Sequence, residues 1–413
     1  MLRFNRICVV GLGYIGLPTS AVFADNGVDV LGVDINPVAV DSINRGEPHI
    51  VEPDLDVLLR KVVQAGKLRA AREPGPADAF ILAVPTPFCE GHQPDLTYIE
   101  AAARDIAPHL AHGNLVILES TSPIGTSERL SVWLAAHRPD LTFPHQAGEL
   151  SDIRIAHCPE RVLPGRILAE VVENARIIGG LTRKCAQSAS TLYRIFVKGE
   201  IHLTHARTAE MAKLTENAYR DVNIAFANEL SIICDKLRIN VWELIRLSNQ
   251  HPRVSILQPG PGVGGHCIAV DPWFIVAADS TNTRLIRTAR EVNDSKPHFI
   301  VEKVKAHAAK LKEPVIACLG LTYKANVDDL RESPALDIVA DLARAKIGEI
   351  LVVEPHINAL PASLGGLGLT LADFDRATER AGILVLLVDH ASFLTIDHDV
   401  VKDKIVVDTR GAW

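Results

Sequence analysis

The tightest constraint on this chain lies near its start. An apolar run, residues 6–10, leads directly into Gly11-Leu12-Gly13-Tyr14-Ile15-Gly16, and a helical stretch continues to about Asn26. Gly27 stands where that helix would close, and a second apolar run, 28–33, ends at Asp34. Strand, glycine turn, helix, strand and terminal acid at this spacing form a βαβ unit of the dinucleotide-binding kind. Gly11 permits the tight turn, Gly13 leaves backbone open to a pyrophosphate, and Gly16 lets the helix lie close to the strand. Free amides at the helix start suit the anion. A carboxylate at Asp34 accepts hydrogen bonds from ribose hydroxyls and repels a ribose phosphate, so NAD is the expected cofactor rather than NADP. Tyr14 and Ile15 in the turn, and Pro85 and Thr86 after the apolar run 79–84, are expected to join it. Arg3 and Arg6 before the apolar stretch 7–24 superficially resemble a secretory signal. Gly11, Gly13, Gly16 and Pro18 interrupt that stretch in the fingerprint pattern instead.

Composition narrows the class. The chain has 413 residues, 47% hydrophobic and 23% charged, which suits several folded domains of roughly 100–200 residues each. Its net charge of -7 argues against nucleic acid or an anionic membrane surface as a general partner. No uncharged apolar run reaches the roughly 20 residues of a membrane-spanning helix. Seven cysteines are scattered without a Cys-x-x-Cys pair. Neither a disulfide framework nor a metal site is expected, and a reducing cytoplasm is.

Apolar runs at 79–84, 115–118 and 175–178, and a strand expected at 152–156, alternate with helical stretches, the pattern of a parallel sheet covered on both faces. From Thr208 to Ser248 there is neither Pro nor Gly, and Leu214, Ala218, Val222, Ala225, Leu230 and Ile233 recur at helical spacing. This predicts one long helix and then a shorter one. A helix of that length connects domains, forms a seam between copies of the chain or serves as an ordinary core element. A further helical stretch at about 283–311 precedes Pro314. Apolar runs at 315–319, 350–353, 383–388 and 404–407, with a helix at 334–345, form a smaller sheet. The expected fold class is α/β. Two Rossmann-like doubly wound domains, 1–200 and 312–413, are joined by a central helical segment, 201–311.

Several segments carry residues suited to chemistry. The stretch Gln258-Pro259-Gly260-Pro261-Gly262-Val263-Gly264-Gly265-His266-Cys267 strips away side-chain bulk just before one cysteine. Such a loop lets backbone amides approach a ligand, and Cys267 is a candidate nucleophile where cations favour its thiolate. Asp271 lies four residues on, on the same face if the stretch is helical. Lys213 and Asn217 stand one helical turn apart, either as paired donors for an oxyanion or as a solvated helix face. Glu160 and Arg161, and Thr121 within 120–126, follow strand ends, where ligands bind in this architecture. The plain alternatives are a helix-start acid for Glu160 and a helix N-cap for Thr121. Lys324 and Arg331 offer contacts for phosphates or carboxylates.

Together these motifs resemble the UDP-glucose/GDP-mannose dehydrogenase family over essentially the whole chain. The resemblance is carried by residues 11–16, 120–126, 158–161, 213–217, 262–267 with Asp271, and by Tyr323, Lys324 and 331–334. Stretches 44–55, 214–230 and 242–276 are most similar to the branch acting on UDP-N-acetyl-D-mannosamine. Tyr323 stands where Phe is usual, and Asn223 where a cation is common, a departure that branch shares.

The resemblance implies an NAD-dependent, four-electron oxidation of UDP-N-acetyl-D-mannosamine to its uronate. Cys267 would hold the half-oxidised carbon as a thiohemiacetal and then as a thioester. Lys213 and Asn217 would stabilise oxyanions, Lys213 also moving protons, and Asp271 would support a water or Lys213. Glu160 and Thr121 would position and activate water. Arg253 is expected on the nucleotide sugar and Lys324 near the sugar or Cys267. Arg161, Gly264 and Tyr323 are expected at the substrate, and Arg331 near cofactor phosphates. A homodimer through the long helix is implied. The alternative readings are oxidation of UDP-N-acetylglucosamine, a simple two-electron alcohol oxidation, and a nucleotide-sugar-binding protein without turnover.

Overall fold

The structure is a computed structural model that describes residues 4–163, 165–265, 267–395 and 398–413, so Arg3 and His266 lie outside the described residues. The chain forms two compact units, Met1–Thr215 and Glu216–Trp413.

The first unit is built on β1 (Arg6–Val10), α1 (Gly16–Asp25), β2 (Asp29–Val33), β3 (Leu68–Ala71), β4 (Ala79–Leu82), β5 (Leu115–Leu118), α2 (Thr126–His137), β6 (Arg154–His157), β7 (Arg176–Gly180) and β8 (Ile201–His205), with further helices between them. Its eight strands lie in the order β3-β2-β1-β4-β5-β6-β7-β8. Side chains alternate across the sheet as strand geometry requires. Ile7 and Val9 enter one core with Leu17 and Phe23, while Cys8 and Val10 enter the other with Phe80 and Leu82. Each such fully buried Leu, Ile or Phe contributes about 1.5–3 kcal/mol. β1 sits between β2 and β4, where the strand order reverses. Ligands of doubly wound sheets bind beyond the strand ends at that point.

The sheet departs from the expected all-parallel pattern at one seam. β6 pairs antiparallel with β7, Ala156 opposite Gly180, and β8 runs parallel to β7. An antiparallel edge on an otherwise parallel sheet is a common arrangement, and a buried apolar run carries no record of strand direction.

α3 (Ala206–Leu237) runs unbroken for 32 residues. It ends where Arg238 takes φ +58, and the Asn240 side chain then caps α4 (Val241–Ser248) by accepting from the Trp242 and Glu243 amides at 2.9 and 3.1 Å. α5 (Asp271–Ala278) and α6 (Arg284–Ala308) follow. A buried polar seam joins α3 to α6. The Arg290 guanidinium, 2% exposed, donates to Asp221 Oδ1 at 2.6 Å, the Asn293 amide donates to the same oxygen at 2.8 Å, and Asn228 donates to Asn293 Oδ1 at 2.9 Å.

The smaller sheet comprises β9 (Val315–Leu319), β10 (Glu349–Val353), β11 (Thr370–Leu371), β12 (Ile383–Leu386) and β13 (Ile405–Asp408), with α7 (Pro334–Arg344) between β9 and β10. Its order is β11-β10-β9-β12-β13, and every pair is parallel. Ile316 and Cys318 face one core, Ala317 and Leu319 the other. Among the described residues no helix is long and apolar enough to cross a membrane.

Candidate active site

The glycine turn has the geometry its sequence predicts. Gly11 takes φ +93, and its N–H donates to Val33 O at 2.8 Å. A Cβ on Gly16 would lie 1.8 Å from Gly11 O, whereas a Cβ on Gly13 would meet nothing within 4 Å. Helix and turn are thus in contact at Gly16, and the backbone at Gly13 faces open space. Asp34 Oδ2 accepts from the Leu12 amide at 3.0 Å and Oδ1 from the Asn36 amide at 2.9 Å. Each carboxylate oxygen keeps a lone pair for a ribose hydroxyl. These residues fit NAD. The neighbouring strand ends are knitted to each other. Thr86 Oγ1 donates to Thr121 O at 2.5 Å and Ser120 Oγ to Val84 O at 2.6 Å. Tyr14 and Ile15 are half-buried beside the turn, and Pro85 is exposed.

Glu160 sits in the loop after β6 rather than at a helix start. It is 7% exposed, and its Oε2 accepts from the Val162 amide at 2.7 Å. Arg161 Nη1 donates to Ala175 O at 3.0 Å. Thr121 does not cap α2, whose N-cap is Gly125. Lys213 is half-buried on α3. Burial pushes the neighbouring His157 imidazole down to about 3, and the Lys213 charge adds to the shift. His157 is therefore neutral at physiological pH.

Two acids in this unit carry no pattern of their own in the sequence. Glu210, one turn before Lys213, is fully buried. It accepts from the Gly125 amide at 2.6 Å, the Ser127 amide at 2.8 Å and Ser127 Oγ at 2.7 Å. A carboxylate on α3 thus closes the N-terminus of α2, where a glycine cap has no side chain to offer. Glu119, 1% exposed, accepts from Tyr193 OH at 2.9 Å and lies 3.6 Å from Arg176 Nη1. Burial pushes its carboxyl up to about 7, against the pull of the Arg176 charge.

In the second unit, Asn217 and Asp271 are both buried, and Asn217 Nδ2 donates to Asp271 Oδ2 at 2.5 Å. Asp271 opens α5, and its amide donates to Cys267 O at 2.8 Å. Cysteine, acid and amide are therefore brought together, and the solvated-face alternative does not hold for Asn217. Burial pushes the thiols of Cys8 and Cys158 up to about 11 and that of Cys318 to about 12, whereas Cys267 is half-buried. The glycine loop lies against Tyr323. A Cβ on Gly265 would stand 2.9 Å from the Tyr323 ring, and one on Gly264 would stand 3.0 Å from Tyr323 Cβ. Lys324 and Arg253 are exposed. Arg331 is exposed and paired within its own loop, with Nε and Nη2 reaching the Asp329 carboxylate at 2.9 and 2.6 Å.

Comparison with known proteins matches the chain to one family in three consecutive segments. Residues 5–197 match the NAD binding domain of the UDP-glucose/GDP-mannose dehydrogenase family, residues 207–295 its central domain, and residues 317–413 its UDP binding domain. The chain is 64% identical to an NDP-N-acetyl-D-galactosaminuronic acid dehydrogenase of Ralstonia nicotianae, covering 100% of this chain and 97% of the relative. It is 59% identical to the UDP-N-acetyl-D-mannosamine dehydrogenase of Escherichia coli, covering 100% of both. Among solved structures, the UDP-D-ManNAc dehydrogenase of Pyrococcus horikoshii superposes with a TM-score of 0.89 at 41% identity, covering 99% of this chain and 96% of that one. The chain belongs to the UDP-glucose/GDP-mannose dehydrogenase family and is an NAD-dependent nucleotide-sugar dehydrogenase.

Proposed function

We propose that the chain oxidises the sugar primary alcohol of UDP-N-acetyl-D-mannosamine to a carboxylate, with Cys267 as the nucleophile. The observation that carries the reading is the Cys267–Asp271–Asn217 cluster: a half-buried cysteine whose backbone carbonyl accepts from the Asp271 amide, and a buried acid–amide pair.

NAD, bound at residues 11–16 with its ribose on Asp34, supplies the hydride acceptor for both oxidations. The first oxidation leaves an aldehyde. Cys267 Sγ, as thiolate, adds to its carbonyl carbon, so the half-oxidised sugar stays attached. Lys213 Nζ and the second N–H of Asn217 Nδ2 stabilise the resulting oxyanion. The second oxidation gives a thioester. Water held by Glu160 and Thr121 adds to that carbonyl, and Sγ leaves as thiolate. The balance is alcohol, water and two NAD in; carboxylate, two NADH and three protons out. Arg253, Arg161, Gly264, Tyr323 and Lys324 are assigned to the nucleotide sugar, and Arg331 to cofactor phosphates.

The test is a panel of UDP- and GDP-sugars followed by NADH formation, with products identified. The largest kcat/KM on UDP-N-acetyl-D-mannosamine supports the reading, and failure on every UDP-sugar removes it. A second reading, a nucleoside-diphosphate N-acetyl-D-galactosamine, is favoured by the name of the relative at 64% identity. The same panel separates the two, because the sugars differ in the orientation of substituents at C2 and C4, which pocket contacts discriminate.

We also assign a second copy of the chain to α3. Tyr219, Phe226, Ile233 and Leu237 are 65%, 54%, 44% and 60% exposed and recur at helical spacing. Four large apolar side chains on one helix suit a seam between copies. Light scattering of Phe226→Glu checks it: the account expects monomers where the parent chain is a dimer.

A further inference from the structure

The second unit repeats the anchoring device of the dinucleotide turn. Gly320 after β9 takes φ +94, and its N–H donates to Val353 O at 2.8 Å, as Gly11 does at φ +93 to Val33 O at 2.8 Å. Glu354 follows β10 as Asp34 follows β2. Its Oε2 accepts from the Leu321 amide at 2.7 Å and the Thr322 amide at 3.2 Å, and its Oε1 from the His356 amide at 3.0 Å. The counterparts at Asp34 are the Leu12 and Asn36 amides.

The two copies differ in what else reaches the acid. Asp34 is half-buried, whereas Glu354 is 4% exposed and carries a fully buried histidine. The Asn326 amide approaches His390 Nδ1 at 3.0 Å. A backbone N–H only donates, so Nδ1 is the unprotonated nitrogen and Nε2 carries the hydrogen. Nε2 lies 3.1 Å from Glu354 Oε2. Oε2 therefore receives Leu321, Thr322 and His390 together, which leaves that oxygen no room for a ribose hydroxyl. Glu354, His356 and His390 bring potential metal-ligand atoms within 4.8 Å of one another. A metal there would have to displace the His390 proton and compete with two amides.

What the pair does hold is a loop. Leu321 and Thr322 are fixed by Glu354 and Asn326 by His390, while Asn326, at φ +59, accepts from the Ala391 amide at 3.0 Å. Thr322 Oγ1 donates to Lys324 O at 2.8 Å, closing the loop on itself. Tyr323 and Lys324 lie between the two fixed ends. We infer that Glu354 and His390 are a positioning pair: they spend the position that binds ribose in the first unit on aiming Tyr323 and Lys324 at the nucleotide sugar. The inference rests on the assignment of Tyr323 and Lys324 to that substrate.

Steady-state kinetics of the full chain test it, with UDP-sugar and NAD varied separately. His390→Ala is expected to raise KM for the UDP-sugar about tenfold or more, because a misaimed contact weakens binding and orientation. KM for NAD should stay within about twofold, and His390→Asn, whose Oδ1 can accept from the Asn326 amide, should recover most of the loss. A merely structural role would move both KM values and give no such rescue, and would overturn the inference. Lys324→Ala is run beside it. If Lys324→Ala raises KM and His390→Ala does not, the pair is not a positioning device although the substrate assignment stands. If Lys324→Ala leaves KM unchanged, the assignment falls and the inference with it. Zinc-dependent activity lost on chelation and restored by zinc alone also overturns it. Hydrogen exchange of the parent chain needs no variant: the Leu321, Thr322 and Asn326 amides are expected to be protected, and fast exchange contradicts the clamp.

Discussion

The Asn217 amide donates to the Asp271 carboxylate at 2.5 Å with both groups buried. The bond fixes the amide plane, and so fixes where its remaining N–H points. Replacing Asp271 with Asn leaves the volume and removes the charge-assisted acceptor. We expect kcat to fall about 10²–10³-fold, the usual cost of a misplaced oxyanion donor. NAD affinity should be unchanged, since the glycine turn belongs to the other unit. A fall of less than threefold would mean that Asn217 needs no such orientation.

Cys267→Ala tests the nucleophile. Acid formation should be lost while NAD binding, measured by fluorescence titration, stays near the parent value. Near-normal acid production by this variant takes the thiol out of the mechanism.

Glu210 links the helix bearing Lys213 to the start of α2, just after the loop bearing Thr121. Glu210→Ala leaves two amides and a hydroxyl without their buried acceptor. We expect destabilisation on the order of 3 kcal/mol, read from urea melts, together with a fall in kcat larger than any change in NAD affinity. An equally stable variant would show that water replaces the carboxylate there.

Glu119 makes stability depend on pH. Burial raises its carboxyl from 4.5 to about 7, so the folded chain keeps a proton that the unfolded chain releases. Its contribution is fully present below about pH 4.5 and is lost as pH rises through about 7. Glu119→Gln cannot titrate. The stability of the parent minus that of the variant should therefore fall by about 2–3 kcal/mol between pH 5 and pH 8. A pH-independent difference would show that Glu119 stays ionised beside Arg176.

Much of this was legible in the chain because it is local. Glycine spacing gives the turn, alternating runs give the buried strands, and a 32-residue helix announces itself by the absence of Pro and Gly. Asp34, Asn217 and Asp271 could be named from offsets of a turn or a strand. The short strands β3, β8 and β11 could not be read: β8 reads Ile-His-Leu-Thr-His and has little apolar signal. The buried acids were hidden for another reason. Glu210 reaches Gly125 across 85 positions, and His390 reaches Glu354 across 36. Such contacts exist only once the sheets have formed, and no sequence period records them.

The most direct test of the central claim is the count of NADH formed per UDP-N-acetyl-D-mannosamine consumed, with the product identified by mass spectrometry. The account predicts two NADH and a uronate, and a thioester adduct on Cys267 trapped during turnover. One NADH per sugar, with free aldehyde released as the end product, would contradict it.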